Sequence, residues 1–335
     1  MKFVESINKS LEKMLNNHKE IILFGEDLLD PYGGAFKVTK GLSSKHPNRV
    51  LPTPISEAAM IGIAGGMALG GMRPIVEIMF GDFIMLGADQ LLNHLVKYEW
   101  MYNNKHNVPV TIRTTMGGRR GYGPTHSQSI EPILASIPGL IIISPSHFHD
   151  PGLLLENTVI SESGVKVFCE YKMNYPKQLV NQTNCQELLS VRYSEGNYPI
   201  AYLSNCEFDD PEILIISHGG NAILIESLLE ELLMEYELAV QANLLSLIKP
   251  ILVDNLFDGH ENCKMIIVIE ESPKNFGWGS EIVASMAESG LANGKNIARI
   301  GSEELPIPSS TLLEEKILPS INEVLHVIKT AGMVS

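Results

Sequence analysis

Ile75-Val76-Glu77-Ile78-Met79-Phe80-Gly81-Asp82-Phe83 leaves a short strand, turns at a glycine and enters a helix. A mostly apolar, β-branched run followed by a breaker is the local signature of one strand–loop–helix unit. The same order recurs along the chain. Short apolar runs stand at 21–24, 75–78, 108–112, 140–143 and 165–168, with helical spacing near 57–70, 83–100, 128–136 and 148–160 between them. Val4, Ile7, Leu11 and Leu15 place an amphipathic helix at the start. A polar stretch over 183–211, with Ser194-Glu195-Gly196-Asn197 and Asp209-Asp210-Pro211, predicts a connector. Beyond it the alternation restarts, with runs at 213–216, 238–245, 265–269 and 297–300 and a helix near 223–236. The expectation is an α/β protein of two domains, 1–182 and 212–335, with mainly parallel sheets covered by helices on both faces.

The composition narrows the class. The chain has 335 residues, 44% hydrophobic and 19% charged, which is ample core material and argues against disorder. A net charge of −14 disfavours a nucleic-acid binder, which needs a basic footprint. No apolar stretch reaches the roughly 18 residues of a membrane span. Cys169, Cys185, Cys206 and Cys263 form no CxxC pair, so neither a zinc site nor a disulfide framework is indicated. The opening helix carries acids and lacks the character of a targeting segment, so a cytoplasmic location is expected. GxGxxG after a strand, GxxxxGK[ST], HExxH and GxSxG are all missing from the sequence.

Three segments carry possible chemistry. Thr53-Pro54-Ile55-Ser56-Glu57-Ala58-Ala59 opens a helix with Glu57 in its first turn. A glutamate there complements the helix dipole. Its apolar neighbours also suit a carboxyl that shares a proton with a ligand nitrogen. Phe80 and Phe83 read first as ordinary core, and a flat ring at a strand's carboxyl end also suits stacking on a heteroaromatic cofactor. Met116-Gly117-Gly118-Arg119-Arg120-Gly121-Tyr122-Gly123-Pro124-Thr125-His126-Ser127 is an irregular loop ending in a histidine, which suits either proton transfer or anion handling.

In order and spacing these segments resemble the β subunit of the thiamine-diphosphate-dependent E1 component of 2-oxo acid dehydrogenase complexes, of pyruvate, branched-chain and acetoin types. Gly25-Glu26-Asp27 with Tyr32-Gly33-Gly34-Ala35-Phe36-Lys37, Thr53 to Ala58, Phe80 to Phe83 and His126-Ser127-Gln128-Ser129 carry the likeness. Glu270-Glu271, Phe276-Gly277-Trp278-Gly279 and Leu305-Pro306-Ile307-Pro308 extend it over nearly the whole chain. The resemblance implies a transketolase-like pyrimidine-binding domain, then a transketolase-type carboxyl-terminal domain, in an α2β2 heterotetramer. It implies thiamine diphosphate shared with an α subunit that holds Mg2+, and a lipoyl acyltransferase (E2) core as a further partner. This chain's only Gly-Asp is followed by Phe83, so the Gly-Asp-Gly motif of an α subunit is missing, as a half-enzyme would have it.

Carried over, Glu57 matches the glutamate that hydrogen-bonds N1′ of the aminopyrimidine, and His126 matches the histidine at the site's entrance. Phe83, Ile55 and Leu86 match positions around the cofactor. Backbone carbonyls near Val110, Thr158, Val159, Ser161 and Ser163 match a potassium site, although serines replace the usual Asp and Asn. Arg119-Arg120 depart from the family's small-residue run and leave a second reading open, half of a split transketolase acting on sugar phosphates. A noncatalytic scaffold subunit is a third.

Overall fold

The computed structural model describes residues 1–206, 210–259 and 261–334. Its strands are β1 (Ile21–Gly25), β2 (Val50–Pro52), β3 (Arg73–Ile78), β4 (Thr111–Met116), β5 (Ile141–Ile143), β6 (Lys166–Tyr171) and β7 (Ser190–Tyr193). They continue with β8 (Ala201–Ser204), β9 (Ile213–His218), β10 (Val240–Leu245), β11 (Leu247–Lys249), β12 (Met265–Pro273) and β13 (Asn296–Ser302). One sheet runs β11-β5-β6-β4-β3-β1-β2 and is parallel except for β11 at its edge. The other runs β13-β12-β9-β10-β8-β7, parallel from β13 to β10 and antiparallel over β8 and β7. Two mainly parallel sheets with helices between strands are the expected α/β architecture.

The amphipathic pattern at the amino terminus is the helix Phe3–Asn17, which buries Phe3, Ile7, Leu11, Met14 and Leu15. It packs against the helix Pro151–Ile160 over one face of the first sheet, with Leu154, Leu155 and Val159 in the same cluster. A second cluster joins the two sheets, because Ile112 and Val167 of the first share it with Leu214, Ile216 and Trp278 of the second. Burial of these side chains, about 1.5–3 kcal/mol each, ties the two halves together. Among the described residues no helix is long and apolar enough to cross a membrane.

The structure departs from the sequence reading in three places. The segment 183–211 is more than a connector, since it holds β7 and β8, which pair with each other, β8 pairing also with β10; Asp209 within it lies outside the described residues. Residues 247–249 cross back to pair with β5, so the second half contributes the first sheet's edge strand. The stretch 83–100 is broken into a 3-10 turn at Gly81–Gly87, a π-helical turn at Gln90–Leu95 and an α-helix at Val96–Met101. Such interruptions of regular helix accompany functional sites.

Candidate active site

In the first sheet the order β2-β1-β3-β4-β6 brings five strand exits side by side at the carboxyl edge. Open parallel sheets place ligands at this edge, because the loops there are free to vary while the strands fix their roots. β2 leads to Glu57, β1 to Glu26, β3 to Phe80, Asp82 and Phe83, β4 to the loop carrying His126, and β6 to Lys172. Below them Arg113 is fully buried in β4. Its Nη1 donates to Glu77 Oε2 of β3 at 2.7 Å and its Nε lies 2.8 Å from Glu170 Oε1 of β6. Tyr175 Oη donates to Glu170 Oε2 at 2.9 Å. This buried charge network holds three strand ends in one register, since slipping any strand would strand a desolvated charge.

Glu57 opens the helix Glu57–Leu69 and is 5% exposed. Its neighbour in space is Glu26, also buried, whose Oε1 has no hydrogen-bond partner. Burial pushes the Glu26 carboxyl above its usual range, and the nearby charges of Glu57 and Asp27 push it further. The unpartnered Glu26 oxygen and the neighbouring Glu57 thus offer a ligand two buried carboxyls at the strand exits. Gly87 makes room beside it, as a Cβ there would stand 3.2 Å from the Glu57 carbonyl oxygen.

Phe80, Phe83, Tyr122 and His126 form an aromatic wall. The His126 ring lies edge-on to Phe80 at 4.7 Å and to Phe83 at 5.1 Å, and Phe80 is 5.8 Å from Tyr122. Thr125 Oγ1 lies 2.8 Å from His126 Nδ1 and restricts the ring. Lys172 is buried behind this wall. Its Nζ donates to the His126 carbonyl and lies 5.4 Å from the Phe80 ring centre and 5.3 Å from that of Tyr122. Burial lowers its pKa to about 8, against the charges of Glu271 and Asp82. Asp82 is itself pushed upward by burial.

The loop 117–127 is fastened from the second half of the chain. Glu314 accepts from the backbone N–H of Arg119 at 2.6 Å and of Gly121 at 3.1 Å, and Glu271 accepts from Gly118 at 2.7 Å. Arg119 points the same way, with Nη2 donating to the Pro319 carbonyl at 2.6 Å. Gly117 is required where it stands: its φ is +86° and a Cβ would lie 2.5 Å from the Tyr171 ring.

Of the candidate residues, the structure brings Phe83 and His126 into contact and sets Glu57 against Glu26. Leu86, 64% exposed, sits beside Glu57 through Gly87, and Ile55, 82% exposed, stands on the open face two residues before it. Two of the expected potassium ligands already accept hydrogen bonds. The Val110 carbonyl accepts the Lys166 N–H of the sheet ladder, and the Val159 carbonyl accepts Arg73 Nη1 at 2.7 Å. Glu26, Asp82 and Lys172 were not singled out by sequence. The available signal was their shared position just past strand ends, in Gly25-Glu26, Phe80-Gly81-Asp82 and Tyr171-Lys172.

The fold and this edge site define a pyrimidine-binding half of the transketolase type. Residues 1–178 match the model of the transketolase pyrimidine binding domain. The subunit beta of acetoin:2,6-dichlorophenolindophenol oxidoreductase from Cupriavidus necator is 30% identical over 95% of this chain and 94% of its own length. Its Bacillus subtilis counterpart is 29% identical over 96% and 94%. The pyruvate dehydrogenase E1 component subunit beta of Staphylococcus epidermidis is 29% identical over 98% of both chains. The chain belongs to this family of E1 β subunits. Among solved structures, a split gene transketolase, described as an inactive beta4 tetramer, superposes with a TM-score of 0.71 at 17% identity, over 100% of this chain and 99% of its own; it is similar in fold.

Proposed function

We propose that this chain is the β subunit of a thiamine-diphosphate-dependent 2-oxo acid dehydrogenase E1, which decarboxylates a 2-oxo acid and passes the acyl group to a lipoyl carrier. It works with an α subunit in an α2β2 tetramer, on an E2 core. The observation that carries the reading is the buried Glu57–Glu26 carboxyl pair beside an aromatic wall ending in His126, in a chain of the E1 β family. Those residues fit the aminopyrimidine end of the cofactor: an orphaned buried carboxyl oxygen calls for a donor, and the apolar surfaces of Phe83, Leu86 and Ile55 suit a flat ring.

When bound, thiamine diphosphate supplies the nucleophilic carbon and the electron sink for loss of CO2. Glu57 would hydrogen-bond the pyrimidine nitrogen N1′, in surroundings dry enough to strengthen that hydrogen bond. Glu26, its carboxyl pushed above the usual range by burial and by the charges of Glu57 and Asp27, stands behind it. Phe83 offers a flat face, and His126 stands where it meets an entering acceptor and exchanges a proton there. Lys172 fixes the His126 backbone and presents its ammonium to the aromatic faces. The α subunit supplies the diphosphate and Mg2+ site.

Arg119, which with Arg120 raises the sugar-phosphate reading, turns toward the second half of the chain, with Nη2 donating to the Pro319 carbonyl and Nε 3.9 Å from Glu271. The test is co-expression with a cognate α subunit and assay of 2-oxo-acid- or acetoin-dependent reduction of an artificial acceptor. Turnover with one such substrate is expected. A cofactor-loaded tetramer inert across that panel, yet active on sugar phosphates, overturns the reading.

A further inference from the structure

At the amino edge of the first sheet, opposite the active site, the helix Pro151–Ile160 ends with its last carbonyls pointing into the protein. A helix carboxyl terminus carries partial negative charge and leaves carbonyls in need of partners. Alkali cations are held by clusters of backbone carbonyls that replace their hydration shell. Here two side chains from neighbouring strand starts already reach the cluster. Arg73, at the head of β3, donates through Nη1 to the Val159 carbonyl at 2.7 Å and to the Glu162 carbonyl at 3.3 Å. Lys166, at the head of β6 and fully buried, donates through Nζ to the same Glu162 carbonyl at 3.2 Å. A carbonyl oxygen has two lone pairs, and both on Glu162 are taken.

We propose that Lys166 and Arg73 are resident cations of this carbonyl cluster, so that the chain needs no potassium there. A third positive charge would face two others at close range, where the Val159 and Glu162 carbonyls already accept from them. Glu162 and Glu99, whose charges favour the Lys166 ammonium, balance the site, while burial and Arg73 lower its pKa to about 7. The Lys166 amine continues to donate to the Glu162 carbonyl when neutral. Lys166 is the informative residue because it is buried and an apolar side chain there would remove a donor to the Glu162 carbonyl.

The test uses the purified full chain without a partner, so that no other subunit's cation site intervenes. Its thermal midpoint is measured in KCl and in choline chloride of equal ionic strength. Equal midpoints are expected for the natural sequence, and a midpoint that rises with potassium and saturates overturns the proposal. Lys166→Met is expected to melt several degrees lower in choline, with potassium restoring part of the loss. A folded Lys166→Met chain that matches the natural one in both salts also overturns it. Should that variant not fold in either salt, Lys166→Arg, which keeps the cation, is expected to fold and to ignore potassium; potassium dependence in it counts against the proposal.

Discussion

Glu57 is open to two roles, a complement to the helix dipole and the proposed proton-sharing role, and its surroundings separate them. As a helix-dipole complement it would contribute at most about 1 kcal/mol to stability, and any acid in the first turn would serve. As the group sharing a proton with a ring nitrogen, it must be buried, close to a second carboxyl and unreplaceable. Glu57→Ala is therefore expected to lower turnover by roughly a hundred-fold or more while the assembled tetramer persists in sedimentation. Near-normal turnover in a cofactor-saturated variant would remove Glu57 from the mechanism. At this scale much of the site was legible: Glu57, Phe83 and His126 each lie in a run whose order matches a known family. Lys172 was hidden because it meets His126 across 46 positions of sequence, a contact that only the parallel pairing of β4 with β6 creates.

At the scale of elements, the loop bearing His126 owes its shape to residues nearly 200 positions away. Glu314 is 1% exposed and its two carboxylate oxygens accept from Arg119 and Gly121. Charge-assisted bonds of this kind contribute about 1.5–3 kcal/mol each. Glu314→Ala is expected to release the loop, seen as faster amide exchange over 117–127 and a kcat several-fold lower with cofactor affinity unchanged; unaltered exchange would show that the clamp is idle. A second element-scale device is Glu131, at the start of the helix Glu131–Ala135 and 1% exposed, which accepts from Tyr171 Oη at 2.6 Å. Burial pushes its pKa from 4.5 to about 7. The folded chain thus binds this proton more tightly than the unfolded chain. The stability it supports is complete below about pH 4.5 and is lost as pH rises through 7, a swing of about 3 kcal/mol at most. Glu131→Gln stays neutral and still accepts from Tyr171. Its midpoint should exceed the natural one at pH 8 and converge with it near pH 4.5; parallel pH profiles would refute the shift. Element boundaries explain what the sequence hid. β4 begins at Thr111, later than its apolar run suggested, since Pro109 has no N–H for the ladder. β7 and β8 were masked by the polar turn between them, Ser194 to Asn197, and by strands of only four residues each.

The whole molecule builds its candidate site from one side. The carboxyl edge of the first sheet supplies acids, aromatics and a histidine, yet the side chains in front of them face outward: Ile55 and Leu86 beside Glu57, with Met85 and, further along the same helix, Ile63 at 55% exposure. Scattered apolar residues on a surface mean little, but a set bordering buried titratable groups marks a face that another chain covers. Covering it would remove water from the Glu57–Glu26 pair and complete the walls against a bound cofactor. Helix Glu57–Leu69 makes this testable without touching the chemistry. Ile63 points away from the core, and a Cβ on neighbouring Gly66 would meet nothing within 4 Å. Ile63→Arg should therefore leave the isolated chain's melting midpoint within about 0.5 kcal/mol of the natural one, as surface substitutions do. On co-expression with the α subunit it should abolish or weaken the tetramer, because an unpaired buried guanidinium at an interface costs several kcal/mol. A variant that assembles normally would place the covering chain elsewhere. One that assembles but loses activity would show that the interface tolerates the charge while the cofactor's seat does not.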